Sequence, residues 1–217
     1  MTTTTDAEAA AETKASLKVL TPEFRVSFPS VFKPRINKQN PTADPKYEIT
    51  MLFRVEADPS KPDEKVVDIR PLVFAAQSCA VAEWGPKEKW PKNLLFPFRK
   101  ADDRTHLDGY VKGLITVKAT GKQAPTVWNE FKKDIIDPKE FYPGAYAVAA
   151  IAPFAWKNTG KYGVSFGLRS IMKIRNGKML GGGSDPDSDF AAIPLPSGVA
   201  AGASGGIEDM DLGIPGL

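Results

Sequence analysis

The chain has 217 residues, 42% of them hydrophobic and 25% charged, with one cysteine and one histidine. These values fit a globular chain with a substantial core, exclude an internal disulfide framework and make a dedicated transition-metal site improbable. The formal net charge of +3 hides a segregation of sign. The window from Lys14 to Lys178 holds all 29 Lys and Arg but only 17 of the 26 acids, a net +12, with −3 before it and −6 after it.

No apolar run approaches the roughly 18–20 residues that span a bilayer, so no membrane partner is expected. Residues 1–15, rich in Thr and Ala with Asp6, Glu8 and Glu12, read as a flexible leader without the basic start and apolar stretch of a signal peptide.

The body, residues 16–180, carries every aromatic except Phe190. Several of its stretches alternate with period two, the mark of a half-buried strand. Phe24-Arg-Val-Ser-Phe28 sets Phe24, Val26 and Phe28 on one face, all expected in the core. Lys46 to Arg54 sets Tyr47, Ile49, Met51 and Phe53 together. Pro71 opens a helix in which Leu72, Ala75, Ala76, Cys79 and Ala80 share a face and Gly85-Pro86 stops the chain. Cys79 on that face reads as a small core residue.

Tyr110 to Lys118 predicts a third strand, with Val111, Ile115 and Val117 inward and Tyr110, Lys112, Thr116 and Lys118 on the polar face. Ala145 to Ala152 and Gly163 to Leu168 predict two more, and a short helix over 168–174 is an open alternative to strand. Turn formers at Asn40-Pro41, Asp58-Pro59, Tyr142-Pro143-Gly144 and Asn158-Thr159-Gly160 separate these segments. The expected fold is mainly β: a five-stranded, partly open OB-type barrel with one inserted helix, long loops and disordered termini. A β-sandwich is the competing architecture.

Residues 181–206, built of Gly, Pro, Ser and Ala, read as a linker. Residues 207–217 form an acidic and apolar tail containing Glu208, Asp209, Asp211 and Ile214.

Catalytic chemistry finds little to stand on. His106 lies in the polar run Asp102-Asp-Arg-Thr-His-Leu-Asp108, which reads as an exposed turn; a nuclease-like carboxylate site there is the enzymatic alternative. Gly181-Gly-Gly183 lacks the Gly-Lys-Ser/Thr ending of a phosphate loop. No enzyme activity, cofactor or metal is expected.

Cations and aromatics, by contrast, interleave throughout the body. Sequence-neutral binders of single strands combine a cationic groove, which meets the phosphates, with aromatic faces on which bases stack. Phe32-Lys33-Pro34-Arg35, Phe98-Arg99-Lys100, Tyr110-Val-Lys112, Trp128 near Lys132 and Lys133, Trp156-Lys157 and Lys161-Tyr162 show the pattern. The candidate DNA-binding residues are Arg25, Lys33, Arg35, Tyr110, Lys112, Lys118, Trp156, Lys157, Lys161, Tyr162, Arg169, Lys173 and Arg175. Glu208, Asp209, Asp211 and Ile214 form a candidate hook for partner proteins, and an anionic tail would also compete with nucleic acid for a basic groove. RNA binding and carbohydrate binding are the rival readings.

The blocks Arg25-Val-Ser-Phe28 with Phe32-Lys-Pro-Arg35, Lys46-Tyr-Glu-Ile-Thr-Met-Leu-Phe53, Trp84-Gly85, Asp108-Gly-Tyr110, Tyr142-Pro-Gly-Ala-Tyr146, Gly163-Val-Ser-Phe-Gly-Leu168 and Lys173 to Gly182 resemble a phage family, formerly a domain of unknown function. Its members include OB-fold single-stranded DNA-binding proteins. The resemblance spans most of residues 20–183. It implies phage DNA replication or recombination in the cytoplasm of an infected bacterial host, with replication or recombination proteins as partners. The tail resembles that of bacterial single-stranded DNA-binding proteins, which close on Asp residues and Ile-Pro-Phe; here Ile214-Pro215 is followed by Gly216-Leu217.

Overall fold

The structure, a computed structural model, describes residues 18–36, 41–58 and 64–181. The leader, the linker beyond Gly181 and the acidic tail, with the boundaries drawn for them, lie outside these residues. Among the described residues the strands are β1 (Val19–Leu20), β2 (Phe24–Arg35), β3 (Lys46–Arg54), β4 (Leu94–Leu95), β5 (Phe98–Lys100), β6 (Leu114–Gly121), β7 (Thr126–Trp128), β8 (Tyr146–Asn158) and β9 (Lys161–Arg175). One α-helix, α1 (Arg70–Trp84), lies between β3 and β4.

Five strands close a ring in the order β2, β3, β6, β9, β8 and back to β2. The β6–β9 pairing is parallel and the other four are antiparallel. This is the mainly β, five-stranded architecture with one helix that the period-two segments predicted. A single closed ring, not two stacked sheets, sets the sandwich alternative aside. The ring is uneven. The β8–β9 hairpin pairs along its whole length, from Tyr146–Arg175 to Asn158–Lys161, whereas the β2–β8 seam pairs only Phe24 with Ala147 and Arg25 with Tyr146.

Alternation explains the interior. On β3, Ile49, Met51 and Phe53 face into the ring beside Val117 and Ala119 of β6 and Phe166 of β9. The Phe24 ring meets Phe53 edge to face, with centroids 5.7 Å apart. Each such fully buried side chain contributes about 1.5–3 kcal/mol through removal from water. Helix α1 has Pro71 in its first turn and buries Leu72, Ala76, Cys79 and Ala80 against the same core. Pro71 fits there because the first-turn amides have no intrahelical acceptor.

Three segments depart from the expected elements. The strand expected from Tyr110 begins only at Leu114, because Gly109 and Gly113, both at positive φ (80° and 77°), turn the chain through residues 110–113. The segment 168–174 is strand throughout, the last part of β9, since the ladder to β8 continues through Arg175. β2 runs on past Phe28 to Arg35 with its register to β3 broken between Ser27 and Ser30, and Phe28 sits in the break with φ +44°. Its ring is 51% exposed, not in the core.

Candidate nucleic-acid interface

The alternation that sends Ile49, Met51 and Phe53 inward sends Glu48, Thr50, Leu52 and Arg54 to the outer face of β3. The ladders carry this face across the ring in crosswise rows. One row runs Ser27, Thr50, Lys118 over β2, β3 and β6. The next runs Ser30, Glu48, Thr120, Gly167, Ala152 over all five ring strands. In a barrel of this topology the outer face of the second and third strands, here β3 and β6, is the oligonucleotide surface, flanked by the connections β2–β3 and β8–β9.

Part of the face is covered. Leu52 and Leu114 pack against Ala101, Tyr110 and Leu180, so the loop 101–113 and the end of the body lie over the rows nearest Arg54. The open part carries charge. Glu48, whose side chain is 12% exposed, holds Arg35 at 2.9 Å and Lys118 at 2.5 Å, while both cations stay more than half exposed. Beyond Thr120 a groove is lined by Lys46, Lys122, Thr126, Phe154, Gly167 and Arg169. Phe154 is 41% exposed and lies beside Gly167.

The β8–β9 hairpin supplies the flanking loop. Thr159 and Gly160 take positive φ (44° and 75°), the requirement of a two-residue turn matched to strand twist. Lys157 stands opposite Tyr162 and Trp156 opposite Gly163. The Trp156 Nε1 donates to Ser165 Oγ at 3.0 Å. Lys157 is also drawn to Glu83 of α1 at 3.1 Å.

Of the candidate residues, Arg35, Lys118, Trp156, Lys157, Lys161, Tyr162 and Arg169 thus fall on the rows, the groove wall or the flanking hairpin, and Lys33 is exposed on the outer stretch of β2. Five others are placed elsewhere. Tyr110 is 2% exposed, its hydroxyl within 3.1 Å of Ser27 Oγ, which leaves no ring face for a base. Arg25 is tied to Glu64 and donates to the Lys178 carbonyl at 2.8 Å. Lys112 is exposed within the covering loop itself, on its last turn before β6. Lys173 donates to the Glu140 carbonyl at 2.7 Å and lies over the Tyr142 ring.

Arg175 stacks 3.5 Å from the Tyr146 ring centroid and bonds Glu23 at 2.9 Å. Burial works against its charge, but the hydrogen bond and charge of Glu23, with Tyr146, outweigh burial and raise its pKa above the ordinary value.

The sequence reading missed Phe28, Phe154, Lys46 and Lys122. Phe154 shares the parity of Trp156 on β8, a signal that period two carries. Phe28 had none, because its outward turn depends on the register break. A phenylalanine at positive φ costs about 1 kcal/mol or more, and such strain concentrates at functional positions.

Among the described residues no three His, Cys, Asp or Glu side chains gather as metal ligands. Asp102 and Asp103 open an exposed single turn, and Asp108 accepts from the Gly181 amide at 3.0 Å. No described helix is long and apolar enough to cross a membrane.

Comparison with known proteins finds a family and a set of similar folds. A family model described as "Enterobacter phage Enc34, ssDNA-binding protein" matches residues 17–199. Among solved structures, a C-terminally truncated single-stranded DNA-binding protein from bacteriophage Enc34 is similar at TM-score 0.58 and 18% identity, over 76% of this chain and 88% of that one. The Enc34 protein in complex with ssDNA is similar at TM-score 0.55 and 19% identity, over 76% and 90%. The single-stranded DNA-binding protein gp2.5 of bacteriophage T7 follows at TM-score 0.51 and 15% identity, over 83% and 98%. No curated protein sequence matches the chain.

Proposed function

We propose that this chain, which belongs to the phage Enc34 ssDNA-binding protein family, binds single-stranded DNA along the outer face of β3 and β6 and shields it without strong sequence preference. The observation that carries the reading is the groove itself. Lys46, Lys122 and Arg169 line one channel with the half-exposed Phe154, and the row of Glu48, whose carboxylate holds Arg35 and Lys118, runs into it. Cations there meet phosphates, whose spacing is the same for every sequence, and an aromatic face accepts any base. Phe28 and Trp156 extend the aromatic surface towards the two flanking connections. The solved complex of the Enc34 protein with ssDNA supports single-stranded DNA as the ligand. Binding alone is the function, and no bond is made or broken.

The finer role we propose is protection of single strands during phage DNA replication or recombination, in the cytoplasm of the infected bacterium. The tail, with Glu208, Asp209, Asp211 and Ile214, then offers carboxylates and apolar anchors to basic, hydrophobic pockets on replication or recombination proteins.

The decisive experiment titrates labelled oligo-dT, oligo-U and a matching duplex at two salt concentrations. The expected result is preference for oligo-dT, with log affinity falling against log salt by about 0.7 for each phosphate neutralised. Tighter binding to duplex, or affinity indifferent to salt, overturns the proposal. Equal or tighter binding to oligo-U reassigns the groove to RNA.

A further inference from the structure

Beyond the groove wall the chain builds a small hairpin that the barrel does not need for closure. β7 pairs in parallel with β9, Thr126 with Ser170 and Trp128 with Met172, and then turns back. Trp128 bridges Asp134, and the Ile135 amide donates to the Val127 carbonyl at 2.8 Å. Val127 and Ile135 are buried in the main core and anchor the base.

The turn is held from inside. Asn129 Oδ1 accepts from the amides of both Phe131 and Lys133 at 3.0 Å. The Asn129 amide donates to the Lys133 carbonyl at 2.9 Å, and the Lys132 amide to the Asn129 carbonyl at 3.0 Å. Lys132 adopts φ +60°, a left-handed conformation unfavourable for a lysine. Trp128 Nε1 donates to Asp134 Oδ1 at 2.7 Å.

This scaffold presents apolar surface to solvent: Phe131 is 74% exposed, and Trp128 is 39% exposed with its indole edge already fixed. A ring fixed in place before binding loses little conformational freedom when a ligand stacks on it.

Its position names the ligand. Thr126, at the base of the hairpin, lines the same groove as Phe154 and Arg169. At about 3.3 Å per residue, the turn lies roughly 10 Å beyond that wall. Lys132 and Lys133 are exposed beside Phe131; of the two acids, Asp134 is engaged by the Trp128 indole and Glu130 is exposed.

We propose that Trp128 and Phe131 form a second stacking platform, which receives bases of the same strand after it passes Arg169, with Lys132 and Lys133 meeting its phosphates. The inference rests on the single-strand reading of the groove.

The test is a length series of oligo-dT titrated against the full chain, Phe131→Ala and Phe131→Trp. In the wild type, affinity should rise once more when the oligomer is long enough to reach the hairpin. Phe131→Ala should lose that last increment, at least about fivefold for one stacked base, while matching the wild type on shorter oligomers. Phe131→Trp should keep the increment and show indole quenching beyond that of the wild type only with the longer ones.

Equal affinities at every length overturn the platform, as does a uniform loss at all lengths. A loss confined to cooperativity on long poly-dT, with unchanged affinity for single-site oligomers, also overturns it and makes the hairpin a contact between copies. Failure of the wild type to bind any oligo-dT removes the groove reading itself, a result distinct from all three.

Discussion

The indole of Trp156 lies across the backbone of Gly163: a Cβ on Gly163 would stand 2.4 Å from the Trp156 Cζ2. The two residues are cross-strand partners on the β8–β9 hairpin, and the Trp156–Ser165 hydrogen bond fixes the ring in that seat. Gly163→Ala therefore has to lift the indole. Overpacking of this kind costs about 1–3 kcal/mol. The variant should unfold at lower denaturant concentration and bind oligo-dT more weakly, in parallel with Trp156→Ala. A Gly163→Ala protein with wild-type stability and affinity would show that the ring does not use this seat.

Glu48 is the acid at the centre of the open face, bridging Arg35 and Lys118. Its carboxylate neutralises cations that the phosphates would otherwise meet. Glu48→Gln keeps the side-chain shape and frees both. Affinity for oligo-dT should rise several-fold at low salt, and the salt slope should steepen by about 0.7 for each cation that gains a phosphate. The advantage should shrink as salt increases. Weaker binding by Glu48→Gln would mean that the carboxylate serves to aim Arg35 and Lys118.

What was legible in the sequence is what alternation and local punctuation encode. β3 falls on Lys46–Arg54 as expected, and α1 ends at Trp84, where Gly85-Pro86 required it. The ring of strands follows from those segments. The candidate site was legible in kind, as cations interleaved with aromatics, but not residue by residue. Phe28 was misplaced because period two assumes an unbroken ladder, and the break after Ser27 turns it outward. Tyr110 was misplaced because Gly109 and Gly113 end the strand before it starts. Arg25 and Arg175 were spent on acids 39 and 152 residues away in sequence, Glu64 and Glu23, pairings that only the closed fold creates.

The burial of Tyr110 separates stability from binding. Its hydroxyl and Ser27 Oγ share a buried hydrogen bond. Tyr110→Phe removes one partner and strands the other, at a cost of about 1–3 kcal/mol. Denaturant unfolding should register that loss, while oligo-dT affinity stays within about twofold of wild type. A several-fold loss of affinity at unchanged stability would return Tyr110 to the DNA surface.

Removal of residues 207–217 tests the tail through charge alone. The deletion takes away Glu208, Asp209 and Asp211 and moves the formal net charge from +3 to +6, while the Lys14–Lys178 window keeps its net +12. Fewer carboxylates tethered to a basic surface leave less competition for a polyanion. Oligo-dT binding should be intact or tighter in low salt, and the two proteins should converge as the Debye length falls to about 3 Å at 1 M salt. Capture of a replication or recombination protein, measured with the full chain as bait, should be lost with the deletion and restored by a fusion carrying only 207–217. Weaker DNA binding by the truncated chain would place the tail within the binding unit, and capture that survives the deletion would remove it as the partner hook.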